Sequence, residues 1–254
     1  MPTIKDKLHF NFDGVWSDEY GLINVVLDSG MYEETLVASR ELNETKVKGN
    51  SKPMLHGIED SPLEFDMVLA FEEGYTDEIV DSVIRWLFAD YYKPLYFEGS
   101  EDKVYMCIPI SSPQIVHNGL KQGYLTITMR CDSSNIYSPT TITNLETVIG
   151  TKTITIETDG HFDIYPEISI IKNGNGTIII ENLDDGEIFE VRDLTNLEDI
   201  YIDCSREIIQ TDAIGIYRYD KIVGEFPRLV YGQNRFKITG NCSIQFRYKN
   251  KYRF

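Results

Sequence analysis

Apolar and polar residues alternate along most of this chain with a period of two. Leu125, Ile127, Met129 and Cys131 take turns with Tyr124, Thr126, Thr128 and Arg130, which gives the apolar and polar faces of a half-buried strand. Asp132 to Asn135 then supply turn chemistry, Ile136 and Tyr137 a short anchor, and Ser138-Pro139 an extended exit. This stretch reads as the last strand of one domain handing over to another, so domains are expected at 1–138 and 139–254. Leu63, Phe65, Met67, Leu69 and Phe71 share one face of the clearest strand of the first half. Shorter strands are expected at Leu8 to Phe12, before an Asp13-Gly14 turn, at Gly21 to Leu27, closed by Asp28-Ser29-Gly30, at Leu95 to Glu98 and at Val104 to Ile108.

One segment changes period. Thr76 is a good N-cap, Asp77 and Glu78 suit the positive end of a helix dipole, and Ile79, Val80, Val83, Ile84, Leu87 and Phe88 recur at helical spacing until Tyr91-Tyr92-Lys93-Pro94. Such a stripe is expected to cover a barrel opening or a sheet. Between Arg40 and Pro53 the chain is polar, with Leu42 and Val47 its apolar residues. A segment this poor in apolar surface is either a mobile loop, the default, or an arm that orders against a partner.

The second half is strand after strand. Pro166 to Ile171 and Gly176 to Glu181 flank Lys172-Asn-Gly-Asn175, a tight-hairpin signal. Strands are also expected at Ile188 to Val191, Ile200 to Cys204, Glu207 to Gln210, Gly215 to Tyr219, and in a closing pair, Asn234 to Thr239 and Cys242 to Tyr248, joined at Gly240-Asn241. Many short strands with frequent turns predict a β-sandwich or jelly roll.

Charge narrows the function. With 24 basic and 41 acidic residues the chain carries −17, an excess heavier in the first half, and such a surface argues against specific nucleic-acid binding. After Glu225 only bases follow, from Arg228 to Arg253; this basic end either meets an acidic neighbour or is a solvated strand face. Cys107, Cys131, Cys204 and Cys242 form no Cys-x-x-Cys pair, so free thiols in a reducing compartment are expected, not a metal site. No run of about 18 apolar residues suggests a membrane span, and the N-terminus lacks a signal-peptide core, so an unexported chain without a membrane partner is expected.

No catalytic, cofactor-binding or metal-ligating residue can be assigned. His-Glu-x-x-His, Gly-x-Ser-x-Gly and P-loop patterns are absent, Gly174-Asn175-Gly176 reads as a turn, and His9, His56, His117 and His161 are isolated. Glycosidase carboxylates would not show in spacing, because their geometry is set in three dimensions. Among 16 Tyr, 12 Phe and 2 Trp, most are core; Tyr217 and Tyr219 are the candidate exposed platform.

Phe10-x-Phe12-Asp-Gly14, Ser39-Arg-Glu41, Pro62-Leu-Glu-Phe-Asp66 and Trp86-Leu-Phe88 are followed in order by Leu125 to Arg130, Cys131-Asp132, Tyr137-Ser-Pro139, Phe226-Pro-Arg-Leu229, Gly232-x-Asn234 and Ile238-Thr-Gly240. In that order and spacing the chain resembles the distal tail proteins of long, flexible-tailed bacteriophages, over essentially its whole length. The resemblance implies a mainly β protein: an N-terminal split β-barrel with one helix at 1–138, forming a homohexameric ring, and a galectin-like β-sandwich at 139–254 outside it. It implies a structural hub and not an enzyme, needing no cofactor. The hub joins the tail-tube protein to the tail-associated lysin or tip protein, in some phages holds receptor-binding proteins, and passes DNA through its ring without recognising it. It would be assembled in the host cytoplasm and reside at the virion tail tip. It also favours Arg40 to Pro53 as an arm reaching a neighbouring subunit. The alternative function is a carbohydrate-binding module for a host cell-wall saccharide; a glycosidase or esterase on a β scaffold would need a cleft the sequence does not reveal.

Overall fold

The computed structural model describes residues 4–27, 33–35 and 37–253, so the expected Asp28-Ser29-Gly30 turn lies outside the described residues. The protein is mainly β, with one α-helix among the described residues, and it separates into two compact units, one of residues 1–137 with the last two residues, the other of 138–252.

The first unit contains β1 (Phe10–Phe12), β2 (Val15–Trp16), β3 (Leu22–Val25), β4 (Arg40–Thr45), β5 (Met54–Asp60), β6 (Glu64–Phe71), α1 (Asp77–Leu87), β7 (Lys93–Phe97), β8 (Ser100–Pro109), β9 (Ile115–His117), β10 (Gly123–Cys131) and β11 (Asn135–Tyr137). Its main sheet runs β2-β1-β7-β8-β10-β6-β3 and curls into a half-barrel, with β9 on β10 and β11 on β8. The alternation in β6 and β10 decides which face turns inward: Phe65, Met67, Leu69 and Phe71 meet Leu125, Ile127, Met129 and Cys131 in one buried cluster. In β1 all three residues are buried, because Asn11 turns its side chain to cap the Asp13-Gly14 turn through Gly14 N–H at 2.9 Å, while Leu8 stays about half exposed.

Helix α1 begins where Thr76 Oγ1 accepts the Ile79 N–H. Val83 and Leu87 are buried, and Ile79, Val80, Trp86 and Phe88 pack against the cluster. Ile84, expected on the same stripe, is half exposed. Trp86 anchors the helix end: its indole N–H donates to the Phe12 carbonyl at 2.8 Å, and its ring stacks on Tyr20 at 4.9 Å and on Phe10 at 5.8 Å.

The second unit contains β12 (Thr141–Ile142), β13 (Glu146–Val148), β14 (Thr151–Thr158), β15 (Glu167–Lys172), β16 (Gly176–Asn182), β17 (Ile188–Leu194), β18 (Asp199–Asp203), β19 (Ile208–Thr211), β20 (Ile222–Gly224), β21 (Gly232–Thr239) and β22 (Cys242–Tyr248). One sheet runs β12-β22-β15-β18-β19, with β13 also on β22, and the other runs β14-β21-β16-β17-β20. Their inner faces share one core, in which Ile168, Ile170 and Ile244 from the first sheet meet Ile178, Ile180 and Ile238 from the second. Phe236 and Phe246 stack across it at 5.7 Å.

Three sequence expectations change here. Lys172-Asn-Gly-Asn175 does not close a hairpin, since β15 and β16 belong to different sheets and the segment is an arch between them. The same holds for Gly240-Asn241 between β21 and β22. The arch residues bond to neighbouring loops: Asn173 N–H donates to Asn241 O at 2.9 Å and Gly174 N–H to Asn196 Oδ1 at 2.6 Å. The buried Lys172 ammonium ties the two arches, donating to Asn241 O at 3.0 Å and Asn173 O at 3.3 Å. Gly240 has φ of 123°, and a Cβ there would lie 2.6 Å from Thr177 O, so the close approach needs glycine. Third, Gly215 to Tyr219 is not a strand; Arg218 points into the domain and turns its neighbours outward.

Candidate functional site

Two surfaces stand out among the described residues. The first is the hairpin β4–β5, a two-stranded sheet that pairs with no other strand among the described residues. Its base is fixed by Ser61 N–H donating to Ser39 O at 2.8 Å and by the Arg40–Asp60 ion pair at 2.8 Å. Leu42 faces Ile58, the register slips between Asn43 and Glu44, and Thr45 faces Met54, with His56 Nε2 2.9 Å from Thr45 Oγ1. Asn50 N–H closes the tip onto Val47 O at 3.0 Å, with Gly49 at φ 91°. Nearly every residue in both strands is exposed, including Leu42, Met54, Leu55 and Ile58. An isolated hairpin with its apolar side chains in water lacks the packing that stabilises a sheet. Its tip carries Lys46, Lys48 and Lys52 with no acid between Glu44 and Glu59, on a chain of net charge −17.

Arg40 to Pro53, expected as a polar loop or arm, forms β4 and the hairpin tip, and the return strand β5 carries no sequence signal. Met54, Leu55 and Ile58 do not alternate cleanly, so the return strand gives no period-two signal. Gly49-Asn50 was the available sign of a turn between two runs.

The second surface is the loop between β19 and β20. Arg218 is buried and grips Glu198 with two bonds, Nε to Oε1 at 2.8 Å and Nη2 to Oε2 at 2.6 Å, and donates from Nη1 to Asp193 O at 3.1 Å. Thr195 and Thr211 hydroxyls donate to the same carboxylate at 3.0 and 2.7 Å. Burial alone would push Glu198 up, but the Thr195 N–H, Arg218 and the two hydroxyls outweigh it and hold the carboxyl below its usual range. With Arg218 drawn inward, Tyr217 and Tyr219 are left 69% and 40% exposed, their rings 5.2 Å apart and tilted by 36°. Tyr219 is further pinned by the Ile209 N–H donating to its hydroxyl at 3.3 Å. Ile214 and Ile216 on the same loop are also exposed. The two tyrosines singled out from the sequence therefore come together at the surface, though on a loop and not in a strand.

Four bases of the basic end pair with acids of their own unit. Arg235 pairs with Asp184 at 2.6 Å, Lys237 with Glu181 at 2.7 Å, Arg247 with Glu167 at 3.4 Å, and Arg228 sits among Asp163, Asp185 and Glu187 at 3.4 to 3.5 Å. These four bases thus have acidic partners within their own unit, and Arg235, Lys237 and Arg247 lie on strands β21 and β22. The histidines stay dispersed: His56 lies on the hairpin, and His117 ends β9 with Nδ1 3.2 Å from Asn118 O. Among the described residues no group of three or more His, Cys, Asp or Glu is placed to hold a metal. Among the described residues no helix is long and apolar enough to cross a membrane.

Two family models match the chain, the phage tail protein N-terminal domain over residues 5–133 and the phage tail C-terminal domain over 136–248. The chain belongs to the phage tail protein family. This tail protein is 32% identical over 250 residues to the SPbeta prophage-derived uncharacterized protein YomH of Bacillus subtilis (strain 168), covering 98% of this chain and 99% of YomH. Its fold matches the crystal structure of the SPP1 Dit (gp 19.1) protein, described as a paradigm of hub adsorption apparatus in phages infecting Gram-positive bacteria, with TM-score 0.70 and 15% identity over 95% of this chain and 98% of that one. A chain of the phage p2 baseplate in its activated conformation with Sr matches with TM-score 0.50 and 9% identity, covering 95% and 97%. The resemblance seen in the sequence thus holds at the level of family and fold.

Proposed function

We propose that this tail protein is a structural hub at the distal end of a long phage tail, acting by assembly and not by turnover. In this reading residues 1–138 form a ring of six copies and 139–254 lie outside it. The ring joins the tail-tube protein to the tail-associated lysin or tip protein, passes DNA without binding it specifically, holds receptor-binding proteins where a phage carries them, and is put together in the host cytoplasm before residing in the virion. Membership of the tail family and the fold shared with a hub protein support it. The observation that carries it is the hairpin β4–β5, whose exposed Leu42, Met54, Leu55 and Ile58 join neither core among the described residues and suit a neighbouring subunit.

Light scattering of the purified protein, alone and mixed with its tail-tube and lysin neighbours, tests the proposal. A closed hexamer under either condition supports it. A chain that stays monomeric with both neighbours present sinks it.

A second reading is favoured by one feature, the exposed Tyr217–Tyr219 pair, whose faces suit stacking on a pyranose ring of a cell-wall saccharide. It is compatible with the hub, and glycan binding by the purified protein decides it.

A further inference from the structure

Four free cysteines are buried in this protein, and two of them face each other. Cys107 on β8 and Cys131 on β10 are direct partners in the antiparallel register. Asp132 N–H donates to Met106 O at 2.8 Å and Ile110 N–H to Thr128 O at 3.0 Å, so the ladder bonds belong to the pairs 132/106 and 128/110. By alternation, Cys107 and Cys131 occupy the closely spaced position between bonded pairs, and Cys131 N–H goes instead to Leu63 O at 2.8 Å. Partners at that position have Cα atoms about 4.5 Å apart with side chains on one face, inside the roughly 4.4–6.8 Å span that a disulfide bridges. Both side chains lie in the core of the half-barrel with no exposure. The other two cysteines have no such partner: Cys242 faces Val148 on one side and Lys172 on the other, and Cys204 follows the end of β18.

We propose that Cys107 and Cys131 are a cross-strand redox pair, free thiols in reducing surroundings and a disulfide tying β8 to β10 once the protein meets a small-molecule disulfide oxidant. The steps balance by exchange. The Cys131 thiolate attacks one sulfur of the oxidant, forming a mixed disulfide and releasing one small thiol. The Cys107 thiolate then attacks Cys131 sulfur, closing the protein disulfide and releasing the second small thiol. Overall, two protein thiols lose two protons and two electrons, and the oxidant is reduced to two thiols. Cys131 goes first on geometric grounds, because it is the last residue of β10, beside the 132–134 turn, whereas Cys107 sits inside β8. Burial pushes the Cys131 thiol up to about 12 and Cys107 well above its ordinary value, so exchange proceeds through local opening and is slow in the closed domain. The inference does not depend on the hub reading.

The test is equilibration of the full-length protein with oxidised glutathione, in buffer alone and in urea below the unfolding transition, followed by acid quench, denaturing alkylation and peptide mapping. The expected result is a linked peptide joining Cys107 to Cys131, with both lost to alkylation, while Cys204 and Cys242 remain alkylated. The melting temperature should rise by several degrees, return with dithiothreitol, and stay unmoved by oxidant in Cys107→Ala. Four alkylated cysteines in both buffers would overturn the proposal. So would a mixture of linkages spread over all four, glutathione retained on Cys131 without closure, or a linked form that melts lower than the reduced one.

Discussion

Arg218 and Glu198 form a two-pronged ion pair whose side chains are 4% and 0% exposed, and this pair decides the shape of the loop that carries Tyr217 and Tyr219. Removing one member of a buried pair strands the other charge, which costs about 3–5 kcal/mol, whereas replacing both with apolar residues of similar volume is often close to neutral. Arg218→Met is therefore expected to lower the urea midpoint strongly, and Arg218→Met with Glu198→Met to recover most of the loss. A single variant as stable as the parent would show that the pair contributes little.

The same carboxyl gives a pH dependence. Glu198 is held below its ordinary value of 4.5 and Asp203 below its ordinary 3.8, where burial is outweighed by the Ser205 hydroxyl and by the Arg206 side chain and N–H. A depressed carboxyl contributes stability above the unfolded value and loses it as pH falls toward the folded one. Denaturant midpoints measured downward from pH about 5 should fall through the carboxylate range, less steeply in the double Met variant. A parallel decline in both proteins would exclude Glu198 as a contributor.

Trp86 holds the end of α1 to the first strand through the Phe12 carbonyl. Trp86→Phe keeps an aromatic ring and removes that donor, leaving a carbonyl without its partner, an expected loss of about 1–3 kcal/mol. Trp86→Ala also empties the space between Tyr20 and Phe10 and should cost about 3–5 kcal/mol. Equal losses for the two variants would mean that packing around the ring contributes nothing beyond the bond.

On the hairpin tip, Lys46, Lys48 and Lys52 are exposed and sit on an acidic chain. Changing all three to Glu should leave the melting temperature within a degree or so, since isolated surface charges contribute little to folding. If the arm docks on another copy, the same change should weaken self-association at low salt by about tenfold or more, with the difference shrinking at high ionic strength. Sedimentation at two salt concentrations checks both halves of the expectation.

For the saccharide reading, Tyr217→Ala is the clean variant, because Tyr219 also accepts a backbone bond from Ile209 and its removal would disturb the loop. A stacking platform predicts about a tenfold loss of affinity for isolated cell-wall glycan with unchanged stability. Unchanged glycan binding would remove Tyr217 from the contact.

Individual strands were readable where one face is wet and the other dry, as in β6 and β10, and α1 was readable from its cap and stripe. Partners of strands were not. The Asn173-Gly174 turn looks the same in sequence whether the flanking strands pair with each other or arch between sheets, because local turn chemistry sets a change of direction and not the identity of the neighbour. The outward turn of Tyr217 and Tyr219 came from a carboxylate 20 positions before Arg218, which no local pattern encodes.

The sequence by itself determined the mainly β character, the single helix and the inward faces, since burial on a pleated or helical surface imposes a period that composition must follow. Tertiary structure alone decided the two arches, the detached hairpin with its return strand β5, the acidic partners of Arg228, Arg235, Lys237 and Arg247, and the opposition of Cys107 to Cys131. Each of these depends on which distant residues become neighbours, and register and sheet order are fixed by the joint packing of many strands, not by any one of them.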